Sequence, residues 1–204
     1  KSIAMDLGSG SGILSFFASK AGAQKVYAVE RRQDIIELAE ALAEHNDITN
    51  IDFVLGSSSA LSDKIFDPKP DVFISEILGN GILEENVLEF TIDARDRLCA
   101  PGAKLIPGKL DIYVFGFHSN MRQDKGLEVD EFADLFGIDY SLFKEVICNK
   151  STLRLDKFNT RIDRPITQPT LVQSIDFSTL DNPVFSQEFE LEVTEPGNFS
   201  GYVG

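Results

Sequence analysis

Three groups of residues carry types and spacings suited to chemistry. The first is Asp6-Leu7-Gly8-Ser9-Gly10-Ser11-Gly12, an acid followed by glycines at alternate positions. Such glycines let the backbone turn sharply and approach a ligand without a Cβ in the way. If a helix starts just beyond, its unbonded N-terminal amides face the same space. A nicotinamide fingerprint, G-x-G-x-x-G, is not met, because position 13 is Ile. The second group is Glu30 alone, an acid closing the next apolar stretch, where a carboxylate can accept hydrogen bonds from both hydroxyls of a ribose. The third is Glu76 with Glu85, two acids bracketing the glycine-containing apolar segment Ile77–Glu84. Each group has a plainer alternative: a tight turn with no ligand for the glycines, a water-facing charge for Glu30, and a strand end and a helix start for Glu76 and Glu85. Glu84 competes with Glu85 for the second acidic position.

These groups need elements to hold them, and the first half of the chain alternates strand and helix signals. Strands are expected at Ile3–Leu7, Lys25–Glu30, Ile51–Leu55, Asp71–Ser75 and Lys104–Ile106. Helical spacing runs over Gly12–Ala21, Gln33–His45 and Glu85–Leu98, the last stopped by Pro101-Gly102. Alternation of this kind implies a mostly parallel sheet with helices on both faces, an α/β fold. Right-handed crossovers then bring the strand C-termini, and with them all three acidic or glycine-rich groups, to one edge.

After Pro107 the pattern changes. Leu110–Phe117, Thr170–Phe177 and Phe185–Val193 alternate like antiparallel strands, and Val129–Val146 is acidic and aromatic. The expected division is a ligand-binding domain over residues 1–109 and a β-rich module over 110–204. The chain stops at Phe199–Gly204 as though in mid-strand, so both ends read as cut from something longer.

Composition narrows the class. With 43% hydrophobic and 25% charged residues the chain is globular rather than disordered. No apolar run approaches a membrane span, so no membrane association is expected. Two cysteines, Cys99 and Cys148, make neither a disulfide scaffold nor a metal cluster, which suits a reducing, cytoplasmic setting, or a nuclear one in a eukaryote. Asp and Glu number 33 against 19 Lys and Arg, a formal net charge of −14. Such a surface disfavours direct nucleic-acid binding and suits a basic partner.

The motifs together resemble a known family. The run at 6–12, ahead of a helix and followed by a strand ending in Glu30, resembles motif I of Rossmann-like S-adenosylmethionine-dependent methyltransferases. The segment Glu76–Glu85 resembles the double-glutamate loop of protein arginine N-methyltransferases. Ala94-Arg95-Asp96-Arg97-Leu98 with Pro101-Gly102 and Leu105-Ile106-Pro107 is similar to that family's helix, turn and strand after the loop, and Phe136-Gly137-Ile138-Asp139-Tyr140-Ser141 to its dimerisation arm.

The resemblance implies transfer of a methyl group from S-adenosyl-L-methionine to arginine guanidinium nitrogens of protein substrates. Glu76 and Glu85 would be the catalytic pair, and family spacing selects Glu85 over Glu84. Cofactor contacts would come from Asp6, Gly8, Ser9, Gly10, Gly12, Glu30 and Ser59, the last at the family's adenine-side acid position. Residues 110–204 would begin a β-barrel, with a helical dimerisation arm near 125–165 and hence a homodimer. The partner would be a basic, arginine-containing protein or peptide. The family often has Trp after the first glutamate, where this chain has Ile77, and its Thr-His-Trp loop and N-terminal cofactor-covering helices have no match in these residues. Two other expectations stand beside this one: a methyltransferase for a small molecule or another acceptor, and a catalytically weak scaffold of the same fold.

The remaining candidates read as structural. His45 is expected on the surface at a helix end, His118 at a strand end, Cys99 and Cys148 buried or inert, and Lys150, Arg154, Lys157, Arg161 and Arg164 on a solvated loop.

Overall fold

A computed structural model describes residues 2–79, 83, 85–119, 134–135, 138–139, 163–199 and 201–203. The chain forms two compact units, Lys1–Leu110 with Ser174–Phe185, and Asp111–Gln173 with Ser186–Gly204.

The first unit is built on a parallel sheet. Strands β1 (Ile3–Leu7), β2 (Lys25–Glu30), β3 (Ile51–Leu55), β4 (Val72–Ser75) and β5 (Lys104–Ile106) lie in the order β3-β2-β1-β4-β5. A strand covered on both faces must be apolar throughout rather than alternating. β1 and the centre of β2 follow this pattern with Asp6 as the one charged exception: Ile3 to Leu7 and Val26 to Val29 are all buried, Met5, Val26, Ala28 and Val29 completely.

Helix α1 (Ile13–Lys20) joins β1 to β2, and α2 (Gln33–His45) joins β2 to β3. Helix α2 is amphipathic: Ile36, Ala39 and Ala43 are buried, one face of a 3.6-residue period, and Asp34 in the first turn complements the helix dipole. Helix α3 (Val87–Asp93) and a π-helical turn (Ala94–Leu98) lie between β4 and β5. Right-handed crossovers place α1 and α2 on one face and the β4–β5 connection on the other. The expected fold class is therefore the observed one. The expected long helix over Glu85–Leu98 starts later, because Asn86 sits in the left-handed region at φ 55, and its last part widens into the π-turn.

Winding runs outward from β1 to β3, then returns to β4 on the other side of β1. The point where strand order reverses thus lies between β1 and β4, which in open α/β sheets is where ligands bind. Register aligns the strand ends there. Leu7 is opposite both Val29 and Ser75, and Glu30 is opposite Leu55.

Ser174–Phe185 joins the first unit through Arg95, whose Nη1 donates to the carbonyls of Phe177 at 2.8 Å and Leu180 at 2.6 Å. Phe177 is buried, and its amide donates to Gly108 O at 3.0 Å.

The second unit is antiparallel. Strand β6 (Lys109–Ser119) lies between β10 (Thr170–Asp176) and β11 (Gly201–Val203), and β9 (Asp163–Pro165) also pairs with β6. Strands β7 (Asp134–Leu135) and β8 (Ile138–Asp139) form a separate short pair. The expected strand Phe185–Val193 does not form: among the described residues its ladder is a single bridge, Thr167 to Val193, and Phe185, Phe189 and Val193 are exposed. Alternation made that segment suitable for a sheet face, but pairing needs a neighbour in register. Most of the expected dimerisation arm near 125–165 lies outside the described residues, as does Cys148. Among the described residues no helix is long and apolar enough to cross a membrane.

Candidate active site

The glycine run forms the turn between β1 and α1. Gly8, Gly10 and Gly12 have φ of 75°, 52° and 88°, in the left-handed region where a Cβ is unfavourable. The amides of Gly8 and Ser9 both donate to Val29 O, at 2.9 and 3.0 Å, tying the loop to the end of β2. Gly12 N donates back to Ser9 O at 2.8 Å, and Phe16 N to Gly12 O at 2.8 Å starts α1. Gly10 borders open space: a Cβ built there meets nothing within 4 Å.

Glu30 meets this loop directly. Its Oε2 accepts the Gly10 amide at 3.1 Å, and its Oε1 accepts the amides of Arg31 at 2.8 Å and Arg32 at 3.0 Å. A carboxylate has about four lone-pair sites. Three amides leave one free, on the oxygen beside Gly10. The carboxylate is thus aimed before any ligand arrives.

Asp6 lies completely buried at the foot of the loop. Ser15 Oγ, in α1, donates to its Oδ2 at 2.7 Å. Its Oδ1 has no hydrogen-bond partner, and neither has the buried hydroxyl of Ser9. Burial pushes the Asp6 carboxyl up to about 6. The Ser15 hydrogen bonds oppose that rise and the nearby Glu30 charge adds to it. Unsatisfied buried polar atoms are rare and costly, and they cluster where a ligand completes them. Two orphaned oxygens and an unfilled cradle at Gly10 therefore fit a polar ligand with donors of its own, such as an amino-acid ammonium and nucleoside hydroxyls.

Glu76 follows the last residue of β4, so the register that aligns Leu7 with Ser75 sets it beside the start of the glycine loop. Ser75 Oγ donates to Leu7 O at 2.9 Å and fixes that junction. The next side chain, Ile77, packs on Gly8 so closely that a Cβ there would collide with Ile77 Cγ2. Glu76 and Glu85 are both solvent-exposed, the second just ahead of Asn86 and α3. Glu84 and residues 80–82 lie outside the described residues.

Ser59 is exposed in the 3-10 turn Ser58–Ala60 that follows β3, at the same sheet edge, with its hydroxyl 3.3 Å from that of Ser57. The structure thus joins the glycine loop to Glu30 by a hydrogen bond and to the Glu76 loop by the Ile77 contact. Ser59 shares their edge through Gly56, whose amide donates to Glu30 O at 2.9 Å.

One contributor escaped sequence reasoning. Ser15 looks like any small helix residue. Only its spacing after Asp6 and the glycines hints that it returns to the acid. Elsewhere, Cys99 is buried, with its thiol pushed up to about 12 by desolvation. His45 is exposed at the end of α2, and Arg164 is exposed in the second unit. His118 Nδ1 lies 3.1 Å from Asn198 O in that unit. The other basic residues at 150–161 lie outside the described residues.

Residues 1–106 match the family model for ribosomal protein L11 methyltransferase (PrmA). Over 95% of its length the chain is 32% identical to a probable protein arginine N-methyltransferase 3 of Arabidopsis thaliana, covering 33% of that protein. Over 98% it is 30% identical to protein arginine N-methyltransferase 2 of Dictyostelium discoideum, covering 39%. The chain therefore spans between a third and two fifths of these relatives. Among solved structures it is similar to the Trypanosoma brucei PRMT1 enzyme–prozyme heterotetrameric complex with AdoHcy, with a TM-score of 0.71 and 27% identity. That match covers 88% of this chain and 54% of the other.

Proposed function

Since the chain belongs to the methyltransferases that the PrmA model describes over residues 1–106, and along its length to the protein arginine N-methyltransferase family, we propose that it contributes the cofactor site and acidic loop of an enzyme that methylates arginine in basic proteins or peptides. The observation carrying this reading is the convergence at one sheet edge: Glu30 bonded to Gly10, and Ile77, next to Glu76, seated on Gly8. S-adenosyl-L-methionine supplies an electrophilic sulfonium methyl when bound. Asp6, Gly8, Ser9, Gly10 and Gly12 would hold its amino-acid end, Glu30 its ribose and Ser59 its adenine side.

Two carboxylates suit the acceptor. Guanidinium is planar, permanently charged and presents forked N–H donors, which carboxylates match with paired charge-assisted hydrogen bonds. One acid binds such a cation. Two hold its plane and aim a chosen nitrogen, so Glu76 and Glu85 orient the nitrogen for in-line displacement. Pairing draws the cation's charge away from the attacking nitrogen, and one glutamate accepts the proton it sheds. Orientation and fixed charge supply most of the acceleration. The net charge of −14 favours approach of a basic substrate. Homodimerisation and a cytoplasmic setting belong to the same proposal.

The test is Glu76→Gln, assayed with arginine-rich and lysine-rich peptides and, separately, for S-adenosylhomocysteine binding by calorimetry. Methyl transfer should favour the arginine peptides and vanish in the variant, while ligand affinity stays within about twofold, since a neutral amide breaks no contact to the glycine loop. Full activity in the variant refutes the assigned role.

A further inference from the structure

Arg97 lies in the π-helical turn after α3, a kind of segment often found at functional places. Its guanidinium makes four hydrogen bonds with its five N–H donors. Nε donates to Asp93 Oδ1 at 2.8 Å and Nη2 to Asp93 Oδ2 at 3.1 Å. Nη1 donates to Leu61 O at 2.6 Å, and Nη2 also to Ser58 O at 2.5 Å. The two carbonyls flank Ser59. Asp93 fixes the fork, and the fork grips the backbone on both sides of the turn that closes the cofactor edge after β3. Lys69 Nζ donates to Arg97 O at 2.8 Å and ties the backbone of the same residue.

We propose that Arg97 is a positioning residue for the adenine side of the cofactor site, holding the Ser57–Leu61 turn from the helix that follows the Glu76–Glu85 loop. The inference rests on the cofactor reading above and adds to it a residue that does not touch the ligand. A planar guanidinium with four bonds to fixed acceptors leaves the turn little freedom. Ser57 and Ser59 hydroxyls and the turn's amides are then presented in one arrangement, suited to the adenine edge. Without the clamp, two carbonyls lose charge-assisted donors and the turn can drift. Selectivity for the base should fall, while contacts made by Glu30 and the glycine loop on the rest of the ligand persist.

The experiment compares S-adenosylhomocysteine with S-inosylhomocysteine, in which oxygen replaces the adenine amino group, by calorimetry on the 204-residue chain and its Arg97→Ala and Arg97→Lys variants. The unsubstituted chain should prefer the adenine ligand. Arg97→Ala should weaken that ligand about tenfold, the scale of one lost hydrogen bond, and change the inosine ligand little, so the preference collapses. Arg97→Lys keeps the charge but not the fork and should fall between. It also carries the comparison if the alanine variant does not fold. Equal weakening of both ligands, or an unchanged preference in the variants, overturns the role of Arg97 alone. Failure of the unsubstituted chain to bind S-adenosylhomocysteine overturns the cofactor reading and this inference with it.

Discussion

Replacing Asp6 by asparagine exchanges a buried charge for a neutral amide of the same shape that can still accept from Ser15. Desolvation raises the folded-state pKa from 3.8 to about 6. The folded chain therefore binds this proton more tightly than the unfolded chain. The stability from the protonated acid is complete below about pH 4 and is lost as pH rises through about 6. At 1.36 kcal/mol per pH unit, a rise from 3.8 to about 6 means that ionised Asp6 costs the fold ~3 kcal/mol near neutrality. The assay is urea unfolding of the chain and of Asp6→Asn at a series of pH values. The difference between the two proteins cancels groups that shift the other way, such as Asp93 and Asp96, whose arginine partners hold them below the usual carboxylate range. The variant should gain on the parent by about 3 kcal/mol between about pH 4 and about pH 8. A gap that stays flat, or narrows as pH rises, refutes the claim that Asp6 is a buried acid under strain.

Gly8→Ala should weaken S-adenosylhomocysteine binding by at least about tenfold, because a left-handed φ costs a non-glycine residue roughly 1–2 kcal/mol and the new methyl meets Ile77. Adding Ile77→Ala removes the collision but not the backbone cost, so calorimetry on the double variant should show partial recovery only. Cys99, its thiol pushed up to about 12 by burial, should resist alkylation in the folded chain at about pH 8 and react in denaturant, as peptide mapping will show.

Much of the first unit was legible in the order of residues, because both signals are local. Mostly apolar stretches at Ile3–Leu7, interrupted only by Asp6, and at Val26–Val29 mark strands buried on both faces, and Gln33–His45 carries a helical period. The later stretches were less legible because their structure depends on partners far along the chain. Phe185–Val193 has the alternation of a strand and finds one bridging residue. Ser174–Phe185 leaves the β-rich stretch and joins the first unit, held by Arg95, some eighty residues earlier in the chain. An isolated arginine in a helical pattern gives no hint of which carbonyls it will reach.

The same division runs through the candidate site. Its chemistry is written in residue types: alternate glycines whose left-handed turns tolerate no Cβ, an acid at a strand end, and two glutamates around an apolar loop. These follow from steric and charge preferences that each residue carries wherever it stands. Which groups meet was decided by packing. Strand order β3-β2-β1-β4-β5 brings β1 between β2 and β4, so Glu30 reaches Gly10, and Ile77 covers Gly8. Burial of Asp6 and the grip of Arg97 on the Ser57–Leu61 turn likewise exist only in three dimensions, because solvent exclusion and hydrogen-bond reach depend on distance in space, not on separation along the chain.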